Sequence, residues 1–213
     1  MCWLMQDDDL SSESSLYLNF DLFAYIEFLV FSDRLSSAIL VYRSARAHLD
    51  GMRERLVDDK KSGRHRVSGW EGGSDMVMDE NLGVVEDSYL IAAGAATVSA
   101  VAGLESLLTD LVPDGQDAPS GLHNLVTGFL NNHRQHLSRS KHKGLVGKEL
   151  KLGQRRNQLA HALTGSYFDR SNASSDMFSE KALEETFHLV GSLARWPLRF
   201  TSCGSANEPA TDS

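Results

Sequence analysis

Cysteine is almost missing from this chain. Cys2 and Cys203 are the only two in 213 residues and stand near opposite ends, so no disulfide framework and no Cys-based metal knuckle can be assembled from them. A reducing compartment suits such a sequence, and a cytoplasmic location is expected. Basic charge is also short: 21 Lys and Arg against 29 Asp and Glu give a net charge of −8. Sequence-blind coating of nucleic acid demands a basic surface that displaces counterions, so any contact with a polyanion has to be local. A basic start followed by an apolar run is lacking too, because Asp7, Asp8 and Asp9 occupy that place, and no export signal is expected. The uncharged stretch Leu90 to Leu104 is rich in Ala, Gly, Ser and Thr and falls short of the ~20 residues of a membrane span. It reads as a buried helix whose small side chains let neighbours approach closely, and no membrane partner is expected. Finally, no segment alternates as a half-buried strand would, and no internal repeat occurs.

What remains is helical periodicity. Residues 1–15 are acidic and serine-rich and residues 202–213 are similarly polar, so both are expected to be disordered flanks of a single domain over 16–201. From Leu16 to about Val57, Phe20, Phe23, Phe28, Leu35, Ile39, Tyr42 and Ala45 recur at helical spacing, with a break expected near Ser32-Asp33. The glycines and mixed charges of 58–83 read as an exposed connection. A long helix over about 84–112 is stopped by Pro113-Asp114-Gly115, and a fourth helix runs from Gly121 to about Leu137. A further helix covers roughly 146–167, and a last one starts at Ser179 and is expected to end at Pro197. The expected fold is all-α, an antiparallel bundle of five or six helices in one domain.

Chemistry concentrates in Arg156-Asn157-Gln158-Leu159-Ala160-His161. At 3.6 residues per turn Leu152, Arg156, Leu159 and Leu163 share a face, so the guanidinium leaves an otherwise apolar stripe and needs a partner. In the Ala-rich helix Val98, Val101, Leu108 and Val112 share a face interrupted by Glu105. A carboxylate there is costly unless paired, which makes Glu105 the expected partner of Arg156. His161 lies about 140° around the helix from Arg156, and Asn157 precedes it by one turn, where an amide can steady the imidazole or bind a phosphate oxygen. Arg155 also precedes His161 and competes for the role of Arg156. The looser spacing recurs at Arg43 and His48, without the amide.

The spelling Arg-Asn-x-x-x-His in a penultimate helix, behind a long small-residue helix, resembles the signature of the HEPN superfamily, all-helical domains found in RNases of toxin–antitoxin and antiviral systems. The resemblance covers this motif and a compatible helical layout. It implies a homodimer in which two motif helices build one composite cleft, with His161 as general acid or base and Arg156 stabilising the charged phosphorane. The implied activity is endoribonucleolytic, leaving 2′,3′-cyclic phosphate and 5′-hydroxyl ends, with no metal or cofactor and with an antitoxin or defence-system protein as possible partner. Many domains of this kind have lost catalysis, so the alternative is a non-catalytic module that binds nucleotide, RNA or a partner protein.

Between Arg134 and Arg156 eight basic residues face one acid, Glu149, a local excess of seven in an acidic chain. Arg139, Lys141, Lys143, Lys148 and Lys151 are the candidate RNA-binding residues, a solvated face or the contact for an acidic protein being the other reading. His133, His136 and His142 cluster without neighbouring Cys or carboxylate, so no metal site is expected. Cys203 has no His beside it and reads as inert. Trp70 and Trp196 read as packing residues.

Overall fold

The computed structural model describes residues 13–18, 25–112, 117, 119–164 and 179–201, with the side chains of 161–164 and 198–201 outside that description. The described chain is all-α: α1 (Ser15–Leu18), α2 (Ile26–Ser62), α3 (Glu71–Asp110), α4 (Leu122–Asn132), α5 (Arg139–Thr164) and α6 (Glu180–Thr201), with a 3-10 turn at Arg134–His136 between α4 and α5. Helix α3 is the hub, packing against α2, α4, α5 and α6. Phe28, Phe31, Leu35 and Ile39 from α2 meet Val101, Leu104, Leu107 and Leu108 from α3, and Leu130, Leu152, Phe187, Val190 and Leu193 close the core from the other three helices. Ala93, Ala96, Ala100 and Gly103 are buried in α3, and Gly103 faces the Phe31 ring at van der Waals distance, as close helix approach requires. By length and composition α3 is apolar enough to cross a membrane, and half of its most apolar window is buried inside the bundle.

The break expected at Ser32-Asp33 is absent, and α2 runs through it as one helix. Ser32 is buried and its Oγ shares a 2.6 Å hydrogen bond with Ser14 Oγ, while Ser36 Oγ accepts the Ser14 N–H at 3.1 Å. These serines dock the N-terminal segment instead of breaking the helix. Accordingly Glu13 to Ser15, expected in the disordered flank, belong to the fold: Ser14 is buried, and Tyr17 and Leu18 just after it are buried against the rest of the bundle. Residues 1–12 and 202–213, and the expected core positions Phe20 and Phe23, lie outside the described residues.

The connection expected over 58–83 shrinks to 63–70. Gly63 ends α2 in a left-handed conformation, φ 72°, and Gly69, φ 81°, turns the chain toward α3. Helix α3 therefore starts thirteen residues before Val84, because Ser74, Met78 and Val85 find burial against α2 and override the poor propensity of Gly72, Gly73 and Gly83. The two helices, ~55 and ~60 Å long, form a hairpin whose far end is held by Arg53–Glu86, Lys60–Asp79 and Arg66–Asp75 ion pairs. Trp70 is exposed and lies over Gly73, so it packs on the hairpin tip and not in the core.

Three further bounds differ from expectation. Helix α4 stops at Asn132, and α5 begins at Arg139, capped by the Ser138 hydroxyl, which accepts the Lys141 N–H at 3.3 Å. Ser179 starts α6 as expected, its Oγ accepting the Ala182 N–H at 3.2 Å. Pro197 does not end α6. It sits inside the helix and continues the buried stripe of Phe187, Val190 and Ala194, and that apolar burial outweighs the one backbone bond its ring removes.

Candidate functional site

Helix α5 carries Leu152 and Leu159 into the core, and this fixes where the residues between them go. Arg156 reaches α3, where its Nη1 donates to Glu105 Oε1 at 2.8 Å. The partnership expected from the two helical faces is present. The same carboxylate oxygen accepts the Leu122 N–H at 2.9 Å, satisfying the first turn of α4, whose preceding Gly121 offers no side-chain cap. One carboxylate thus ties α3, α4 and α5 together at the guanidinium. Arg156 keeps 33% of its side-chain surface exposed, so it is anchored on one edge and reachable on the other.

Asn157 is exposed, and its Oδ1 lies 3.4 Å from both Nε and Nη2 of Arg156. The amide therefore stands beside the guanidinium. The backbone of His161 is in the last turn of α5, and its side chain, like that of Leu163, lies outside the described residues. Arg155 is placed elsewhere: it turns to α6, where it donates to Ala182 O at 2.9 Å, Thr186 Oγ1 at 3.2 Å and Glu185 Oε2 at 2.5 Å. Its side chain is 17% exposed. Arg155 is a cross-link between helices, and Arg156 is left as the accessible cation of the motif.

The basic lead-in divides in the same way. Arg139, Lys141 and Lys143 are exposed on the first turns of α5. Lys148 donates to Ser192 Oγ, and Lys151 pairs with Glu185 Oε2 at 3.1 Å, so these two also hold α6. Arg155 first and then Lys151 hold the Glu185 carboxyl below its ordinary value. Of the five candidate RNA-binding residues, three lie open on the surface and two are tied to α6, Lys151 while its side chain stays 53% exposed.

One pair escaped the sequence reading. Glu149, counted there as a lone acid among bases, is buried, and its Oε2 lies 3.1 Å from Nδ1 of His123 in the first turn of α4. The signal was available, since Glu149, Leu152 and Arg156 follow one another at helical spacing on the buried side of α5. Elsewhere, His133 stacks on Phe129 and meets the edge of Trp196, which supports the packing role of Trp196. Among the described residues no three His, Cys, Asp or Glu side chains converge as a metal set. The best-formed groove among the described residues, about 650 Å³ between α2 and α3, is lined by Tyr42, Ala92, Ala95, Ala96 and their neighbours. It shares no residue with the Arg156 cluster, and convergent polar chemistry, not volume, marks the site. Set against protein-family models, curated proteins and solved structures, the chain matches none.

Proposed function

We propose that this protein is a metal-independent endoribonuclease of HEPN type, cytoplasmic and homodimeric, serving as a toxin or antiviral effector. The observation that carries the reading is the anchored but reachable guanidinium of Arg156, held by Glu105 with Asn157 against it, on the helix that also bears His161. A fixed cation that requires no reorganisation is what a phosphorane needs. In this reading Arg156 binds the scissile phosphate, His161 transfers a proton at the 2′-hydroxyl or the leaving 5′-oxygen, and the ends are a 2′,3′-cyclic phosphate and a 5′-hydroxyl. Arg139, Lys141 and Lys143 draw the strand toward the site through local positive charge.

The purified protein is expected to cut labelled RNA in the presence of EDTA, and His161→Ala to abolish cutting with the thermal unfolding midpoint unchanged. Cutting that survives in the variant removes His161 from the mechanism. Expression alone should slow growth, and light scattering should show a dimer. The second reading, a non-catalytic module binding nucleotide, RNA or a partner protein, draws on Lys148 and Lys151, whose engagement with α6 shrinks the basic surface. A wild type that is dimeric, harmless and inert on RNA favours that module.

A further inference from the structure

Helix α3 carries a second apolar stripe that its own fold leaves uncovered. Val77, Val84, Ile91 and Val98 recur at every seventh residue, and they are 45, 60, 54 and 37% exposed. Met78 and Val85, the buried residues that meet α2, are each one position and so about 100° further around the helix. A β-branched side chain kept at a seven-residue spacing for ~32 Å of helix marks a seam that a second helix follows by supercoiling.

The residues interleaved with this ridge are small or polar. Asn81, Ser88, Ala95 and Ala102 each follow one of the four by a turn. Ala95 and Ala102 also line the groove of about 650 Å³ between α2 and α3, opposite Ala38 and Val41. Ridge and groove thus share one side of the molecule. Large beside small along one strip makes the strip complementary to itself when it is read in the opposite direction. With a twofold axis at the level of Ala93, Val84 of one copy faces Ala102 of the other, Ile91 faces Ala95 and Val98 faces Ser88. Each bulky side chain then meets a small one, the alternation that lets antiparallel helices pack closely.

The same register is matched in its polar positions. Glu105 is the next member of the seven-residue series after Val98, and Asn81 of the other copy falls opposite it. Oε1 of Glu105 is occupied by Arg156 and the Leu122 N–H, and its second oxygen can accept from the Asn81 amide. From Asn81 to Glu105 the strip is ~36 Å long and, with α2 beside it, ~20 Å wide, roughly 700 Å² per copy, and the ~1,400 Å² of a pair lies within the range of stable interfaces.

We propose that this strip of α3, with the groove beside it, is where a second copy of the chain docks antiparallel, so that Asn81 of the partner subunit joins the Glu105–Arg156 cluster. The proposal rests on the homodimeric reading and supplies its surface.

Sedimentation of the full chain over a concentration series tests the docking. Ile91→Glu sets a charge in the seam and should raise the dimer Kd about 100-fold or more. The helical circular dichroism spectrum should be kept, because Ile91 is exposed in the single chain. Val84→Ala and Ala102→Val should each weaken association about tenfold, and the double variant, which exchanges large and small across the seam, should return the Kd to within about threefold of wild type. That recovery cannot come from variants that merely fold poorly. A wild-type dimer left intact by Ile91→Glu, or a double variant no tighter than either single one, overturns the proposal and leaves the homodimeric reading standing. A monomeric wild type overturns both, and its flotation with phosphatidylcholine vesicles would assign the ridge to lipid. A dimer that Ile91→Glu dissociates but that is inert on RNA supports the surface and removes only the ribonuclease reading.

Discussion

Replacing Glu105 with alanine tests the joint on which the site is built. Two losses follow at once. The Leu122 N–H forfeits its acceptor at the start of α4, where Gly121 supplies no side-chain substitute, a change worth about 1 kcal/mol by analogy with the loss of a helix cap. The Arg156 guanidinium loses its partner while only 33% exposed, against 26% for Glu105. A surface pair contributes about 0.5 kcal/mol and breaking a buried one costs about 3 kcal/mol, so this half-buried pair belongs near 1–2 kcal/mol. Together the loss is about 2–3 kcal/mol, which for a chain of this size lowers the unfolding midpoint by roughly 5–10 °C.

Glu105→Gln separates the two parts. The glutamine oxygen still accepts from Leu122 and still meets Arg156, but without charge, so its cost should be near 1 kcal/mol. Thermal unfolding by circular dichroism, backed by urea titration to confirm an unchanged m-value, gives the order wild type, then Gln, then Ala. An alanine variant within 0.5 kcal/mol of wild type would refute the reasoning, because it would mean that neither the α4 start nor Arg156 depends on this carboxylate. Equal losses for Gln and Ala would locate the whole effect in the charge and remove the capping role. On the ribonuclease reading, the glutamine variant should also cut RNA more slowly, since Arg156 is then less firmly held.

Three more outcomes follow from the same geometry. Gly191→Ala would drive a methyl carbon into the Tyr17 carbonyl oxygen, so the N-terminal segment must move, at about 1–3 kcal/mol, and hydrogen exchange at Ser14 to Leu18 should rise. Asp75 is held down to about 2 by hydrogen bonds from Arg66 and then His65. Its contribution to the hairpin tip is complete above about pH 4 and lost as pH falls through about 2, a loss that hydrogen exchange near residues 63–75 should register and that Asp75→Asn should abolish. Arg155→Lys should loosen the α5–α6 contact through its lost bonds to Ala182, Thr186 and Glu185, and lower the unfolding midpoint, while Arg156→Lys should weaken RNA cutting with less effect on stability.

Much of the fold was legible because burial repeats with the helical period. The stripes of α2, α4 and α6 announce themselves, and the small residues of α3 mark it as the helix that others approach. The failures have a common cause. Ser32 looked like a helix break and Gly72, Gly73 and Gly83 looked like loop, because propensity acts on a residue alone, whereas a partner helix supplies burial that propensity does not see. Pro197 misled in the same sense, its apolar ring being worth more in the core than its missing N–H costs.

The site shows how far periodicity carries chemistry. An ionised side chain on an apolar stripe has to be paired, and when two helices each present one of opposite sign, pairing them satisfies both, which is why Arg156 and Glu105 could be matched across 51 positions. The same logic applied to Glu149 would have asked for a donor, but its neighbours in sequence are Lys148 and Lys151, which point instead to Ser192 and Glu185 on α6. Side chains one or two positions apart on a helix can serve different neighbouring helices, so nearby charge in sequence is not the charge that meets a buried acid. Glu149 finds His123 because the first turn of α4 lies over α5, and that turn is pinned by Glu105. The arginine and the histidine are thus placed by one carboxylate each, and the two carboxylates are linked through a single turn of α4. Loosening that turn should disturb both at once.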